Sequence, residues 1–123
     1  MAACEPAPQS ADKGREAQRQ RLGAERIDHA AHCLAITKAV SSLATPALRQ
    51  QAAELGLDDV KPQFATRWHE VLKQQVHLAR ADTGEISAAI DRNAVVIRNG
   101  ADLNAVADDA FDCGGEIERS GND

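Results

Sequence analysis

The sequence predicts an all-α protein, an antiparallel four-helix bundle with one short additional helix. Alanine is the commonest residue in a chain of 123 that is 43% apolar, only 2% aromatic and without Tyr, a composition suited to helices whose backbones approach closely. Apolar residues recur at helical spacing in four long segments. Between those segments fall the Pro, Gly, Thr and Asp or Asn residues that start and stop helices. At 13.1 kDa the chain forms one domain, whose core must be filled by Ala, Leu, Ile and Val almost without rings.

Residues 1–22 read as a flexible tether, because Glu5 to Arg21 carries Pro6, Pro8, Gly14 and many Gln, Arg and Ala with no apolar periodicity. The helical domain is expected over residues 23–115. Its first helix covers residues 23–44, where Ile27, Ala30, Cys33, Leu34, Ile36, Thr37, Val40 and Leu43 span about 200° of the wheel and so face at least two neighbours. Thr45-Pro46 is an N-cap and N1 pair opening a short helix through Leu48, Ala52 and Leu55, which Gly56 ends. That helix is too short to span a bundle and is expected to be a connector.

A third helix should run from Lys61 or Pro62 to Ala81, with Phe64, Trp68, Val71, Leu72, Val76 and Ala79 on one stripe. Asp82-Thr83-Gly84 breaks it, and Asp82 or Thr83 caps a fourth helix carrying Ile86, Ala89, Ile90, Val96 and Ile97, stopped by Asn99-Gly100. The last helix is expected over residues 101–112, burying Leu103, Val106, Ala107, Ala110 and Phe111, with Gly114-Gly115 ending it and residues 116–123 forming a polar tail. If the second helix is a connector, four long segments alternate up and down and return the end of the last helix to the start of the first.

The formal net charge of −5 opposes nucleic-acid binding, since phosphates demand a basic face. Lys13, Arg15, Arg19, Arg21 and Arg26 make the first quarter basic and residues 102–123 are acidic, a split expected between two solvated ends. No run approaches the roughly 18 apolar residues of a membrane span.

Cys33 and Cys113 lie near the beginning and end of the helical domain, where the alternating bundle brings them together, so a disulfide is expected between them. Two reduced, buried thiols are the alternative. Cys4 is then the odd cysteine. Ala2-Ala3-Cys4, followed by Glu5, resembles the end of a bacterial lipoprotein signal, the lipobox, whose cysteine is lipidated. A lipobox-like start, a polar leash and an Ala-rich helical domain with one Cys near each end loosely resemble small exported helical proteins of Gram-negative bacteria. Those include lipoproteins and periplasmic immunity proteins that neutralise toxins by binding them. The resemblance implies a periplasmic or membrane-anchored location, the membrane being met only through lipid on Cys4; an ordinary cytosolic N-terminus is the other reading.

Candidate chemistry is sparse. His29, His32 and Cys33 at i, i+3 and i+4 share neighbouring rows of one helix and offer ligand types that zinc accepts. A disulfide at Cys33 would consume the thiol, and His29, within the apolar arc, is expected to be half-buried. The sequence holds no Gly-x-Ser-x-Gly elbow or Gly-rich phosphate loop, and the side chains of Trp68-His69-Glu70 diverge by 100° per residue, so neither catalysis nor a cofactor is expected. Asn93, central to the Ile86/Ile90/Ile97 stripe, needs a hydrogen-bond partner, since an unpaired buried amide costs about 1–3 kcal/mol. Val95 projects opposite that stripe beside Arg92 and Arg98, and these four residues are the candidate interaction surface. The expected function is protein binding by an exported accessory or inhibitor-type module, with a cytosolic helical adaptor as the alternative; the partner protein is not specified.

Overall fold

The apolar stripe of the first helix is buried as its spacing predicts. Ile27, Ala30, Cys33, Leu34, Ile36, Thr37, Val40 and Leu43 all lie inside. Thr37 joins this core because its hydroxyl donates to the Cys33 carbonyl at 2.7 Å, which removes the cost of a free polar group. In the computed structural model, which describes residues 6–121, the chain is all-helical: α1 (Pro6–Ser41), α2 (Pro46–Glu54), a 3-10 turn (Leu57–Asp59), α3 (Pro62–Leu78), α4 (Gly84–Arg92) and α5 (Gly100–Gly121). Around α1 pack α3, α5 and α4, while α2 packs on α5 and the 3-10 turn. Among the described residues no helix is long and apolar enough to cross a membrane.

Several boundaries follow the sequence signals. The Thr45 hydroxyl accepts from the Leu48 amide at 3.2 Å, and Pro46 takes the first helical position. Gly56 adopts φ +78°, the left-handed conformation that ends α2 and that a Cβ would strain. Pro62 opens α3. Leu48 and Ala52 are buried, while Leu55 is exposed at the C-cap.

Other boundaries moved, each for a physical reason. Residues 6–22, expected as a tether, belong to α1. Ala, Gln, Arg and Glu are good helix formers, and Pro is tolerated in a first turn, so the helix extends here without an apolar stripe in its sequence. From Gly14 to Leu22 it is exposed. At Gly23 it comes close to the end of α3, where an added Cβ would stand 3.2 Å from that of Ala79. α3 itself stops before Ala81 because Arg80 turns left-handed at φ 56°, with the Ala81 and Arg80 amides donating to the Val76 and His77 carbonyls. That is a Schellman closure.

α4 is shorter than expected. After Arg92 the backbone leaves the helix, and over residues 95–98 burial alternates: Val95 and Ile97 pack on the core while Val96 and Arg98 are exposed. Val95 thus faces inward and Val96 outward, the reverse of the helical expectation, because the chain is no longer helical here and its burial alternates. Asn99-Gly100 opens α5 instead of closing α4. The Asn99 side chain accepts from the Asp102 amide at 2.9 Å, and the Asp102 carboxylate accepts from the Arg98 amide at 2.9 Å, a reciprocal cap.

α5 also runs through Gly114-Gly115, where a stop was expected, so residues 116–121 are helical and Ile117 is buried. Three ties hold this stretch to its neighbours: the Trp68 indole N–H donates to the Cys113 carbonyl at 3.1 Å, the Arg67 guanidinium donates to the Ile117 carbonyl, and Cys113 meets Cys33. A Cβ on Gly114 would meet Phe64 and Val60 at 3.7 Å, ordinary contact distance. Gly114→Ala is therefore expected to raise the unfolding free energy by about 0.5–1 kcal/mol, through the helical preference for Ala over Gly. Urea denaturation checks this; a lowered midpoint would mean that α3 and α5 are too close there for a methyl group.

Candidate functional site

Where α1 meets α5, three residues of each helix face one another. His29 stands opposite Glu116, and His32 and Cys33, further along α1, stand opposite the earlier residues Asp109 and Cys113 of α5, so the two helices run antiparallel here. The Cys33 and Cys113 sulfurs lie at disulfide distance, 2.10 Å, with Cα atoms 5.4 Å apart, as the sequence position of the two residues predicted. Both cysteines are buried.

His29 sits one turn before Cys33. Its Nε2–H donates to the Glu116 carboxylate at 2.9 Å and lies 3.8 Å from the Cys33 sulfur, while the ring packs edge-on to Trp68 with centroids 5.6 Å apart. The carboxylate accepts only, so the proton is on Nε2. His29, Cys33 and Glu116 bring three ligand-type atoms within 4.8 Å of one another. Alongside runs an open groove of about 360 Å³ lined by Leu22, Arg26, His29, Trp68, Val71 and Glu116, among others.

Of the ligand set suggested by the sequence, the structure joins His29 to Cys33 but directs His32 elsewhere: its Nε2 lies 3.3 Å from Asp109. Helical rows explain the split, since i+3 and i+4 positions diverge across a neighbouring helix. Glu116 completes the cluster and was missed, because the expected helix ended before it. Cys4 lies outside the described residues.

The proposed interaction surface on α4 is occupied by internal contacts. Arg92 donates to Asp28 at 2.9 Å and to Glu85 at 2.7 Å, and the Asn93 amide donates to Asp28 at 3.1 Å and to the Ala89 carbonyl at 2.8 Å. Asn93 thereby finds the partners its position requires, and the cluster ties α4 to α1. Arg92 and Arg98 both remain exposed, Arg98 the more so, and Arg98 pairs with Asp102 at 3.5 Å. Burial raises the Asp28 carboxyl pKa, but the hydrogen bonds from Arg92 and Asn93, with the Arg92 charge, outweigh it and hold the group below its ordinary 3.8. Hydrogen bonds to Glu85 and then Asp28 raise Arg92 in turn.

A depressed carboxyl pKa stabilises the fold above the unfolded-state value, and the contribution fades as pH falls through the folded-state value. The melting temperature of the wild type is expected to exceed that of Asp28→Asn at neutral pH and to converge on it below about pH 4. Melting curves across that range check the pair; a gap independent of pH would rule out charge at Asp28 as its cause.

The face of α5 away from the core holds a feature that sequence reasoning placed inside. Phe111 is 64% exposed, flanked one turn away by Asp108 and beside it by Asp112, both exposed. With Leu103 and Ala110 at the centre of the buried arc, Phe111 falls about 80° off it, and this offset was readable from the spacing. Six acidic residues against one Arg make α5 an acidic helix. No family model, curated protein or solved structure matches this chain.

Proposed function

We propose that this chain is a small exported protein, anchored through lipid on Cys4, which acts by binding a protein partner as an accessory or inhibitor-type module. The observation that supports this reading is Phe111, an exposed aromatic side chain on an acidic helix in a chain with three aromatics. Interface energy concentrates in such anchors, with charged residues at the rim setting orientation and association rate. The matching partner surface is a basic one with an apolar pocket. Cys33 and Cys113 at disulfide distance support an oxidising compartment. An antiparallel four-helix core of α1, α3, α4 and α5 would present this face rigidly, and the packing of α1 against the other three supports that arrangement.

The test places a photo-crosslinking amino acid at position 111 in cells producing the full protein, with position 74, exposed on α3, as control. The expected result is one discrete adduct from position 111 alone, competed by wild-type protein and not by Phe111→Ala. Stability of Phe111→Ala should stay within about 0.5 kcal/mol of wild type, as for an exposed residue. No adduct, or equal adducts from both positions, overturns the binding face. Trapping thiols in the same cells by acid and alkylating them tests export: Cys33 and Cys113 that react before reduction would favour the cytosolic adaptor.

A further inference from the structure

We infer that reduction converts the Cys33/Cys113 pair into a zinc site whose ligands are the two cysteine sulfurs, His29 Nε2 and the Glu116 carboxylate. Zinc takes four ligands in a tetrahedron at about 2.3 Å from sulfur and about 2.0–2.2 Å from nitrogen and oxygen, so neighbouring ligand atoms stand about 3.3–3.8 Å apart. His29 Nε2 is already 3.8 Å from the Cys33 sulfur and 2.9 Å from Glu116, and the three atoms lie within 4.8 Å of one another. Cys113, whose sulfur is 2.10 Å from that of Cys33 and outside the three-atom cluster, would complete the four by rotating its side chain once the S–S bond is broken. The metal would take the place of the proton that His29 now shares with Glu116. His29 and Glu116 side chains are 52% and 48% exposed, and the adjoining groove gives an ion its way in.

The chemistry balances with a dithiol as reductant. Its two thiols reduce the protein disulfide to two cysteine thiols and are themselves oxidised to a disulfide. Zinc then displaces two protons from Cys33 and Cys113 and one from Nε2, which returns to the ring as the Nδ1–H tautomer, for a net release of two. Either state ties α1 to α5 at the same point, by a covalent bond when oxidised and by a metal when reduced. The cross-link would therefore outlast a change of redox environment, provided zinc is present.

Full-length protein carrying Cys4→Ser, to leave only the two thiols concerned, is reduced with a phosphine, desalted without oxygen and titrated with Co²⁺ alone, then Zn²⁺ alone. One equivalent of Co²⁺ should give thiolate-to-metal charge transfer with tetrahedral ligand-field bands. It should also quench the single Trp, whose ring is 5.6 Å from that of His29, and Zn²⁺ should displace it. His29→Ala and Glu116→Gln should each weaken binding at least about tenfold, and His32→Ala should leave it unchanged. Far-UV circular dichroism follows the helices throughout. Absence of the charge-transfer band from the reduced protein overturns the site. So does equal uptake by the oxidised protein, or uptake, folded or unfolded, that ignores both His29→Ala and Glu116→Gln.

Discussion

Breaking the Cys33–Cys113 link, by reduction in the presence of a chelator or by the double substitution Cys33→Ala/Cys113→Ala, is expected to lower the unfolding free energy by roughly 3–4.5 kcal/mol. The sequence separation is 80, and a loop of that size costs about 4.5 kcal/mol to close in the chain-entropy treatment, with measured values often smaller. The effect acts mainly on the unfolded chain. Freed of the cross-link, that chain exposes more surface, so the urea m-value should rise while the midpoint falls. A core built from one Trp, one Phe and many Ala has little reserve against such a loss, and domains of this size are stable by only about 5–15 kcal/mol. Coincident urea curves for oxidised and reduced protein would show that α1 and α5 are held by packing alone.

Legibility from sequence followed how many meanings each signal carries. The α1 stripe from Ile27 to Val40 was readable because seven buried positions at one period have a single interpretation, although the helix stops at Ser41 and Leu43 is buried beyond its end. Thr45-Pro46 was readable because Pro fits a helix start and not its interior. Asn99-Gly100 misled because Asn caps either end of a helix, and only its bond to the Asp102 amide decides which. Gly114-Gly115 misled because local propensity favours a stop there, while the contacts that carry α5 onward come from Trp68, Arg67 and Cys33, each dozens of residues away. The non-helical run at residues 94–98 was hidden because Val95 to Ile97 is uniformly apolar and period cannot be read from three residues.

The same distinction governs the site. The cysteine pair follows from the helical wheel and the direction of the chain, whereas His29, expected to be half-buried, is exposed beside it. Glu116 could not be placed once the helix was thought to end before it, and His32 looked equivalent to His29 although one turns to Asp109 and the other to Glu116. Phe111 shows that hydrophobicity alone is a poor guide to burial: its offset from the Leu103/Ala110 arc, not its residue type, puts it in solvent.

Trp68→Ala is expected to cost about 3–5 kcal/mol, the second large loss available to this chain. Trp68 is buried where α3 meets both α1 and α5, edge-on to His29 and bonded through Nε1 to the Cys113 carbonyl. Alanine would leave a void that residues as small as Ala30 and Ala65 cannot fill. Trp68→Phe separates shape from the hydrogen bond, since it keeps a ring and loses the N–H; about 1–2 kcal/mol should go, part as the bond and part as unfilled volume. Urea curves followed by circular dichroism give both values, and equality of Trp68→Phe with wild type would remove the hydrogen bond from the account. Because Trp68 fixes the carbonyl of Cys113, its substitution and loss of the disulfide should not add. A double-mutant cycle should return a coupling of about 0.5–3 kcal/mol, and zero coupling would mean that indole and cystine hold α5 independently.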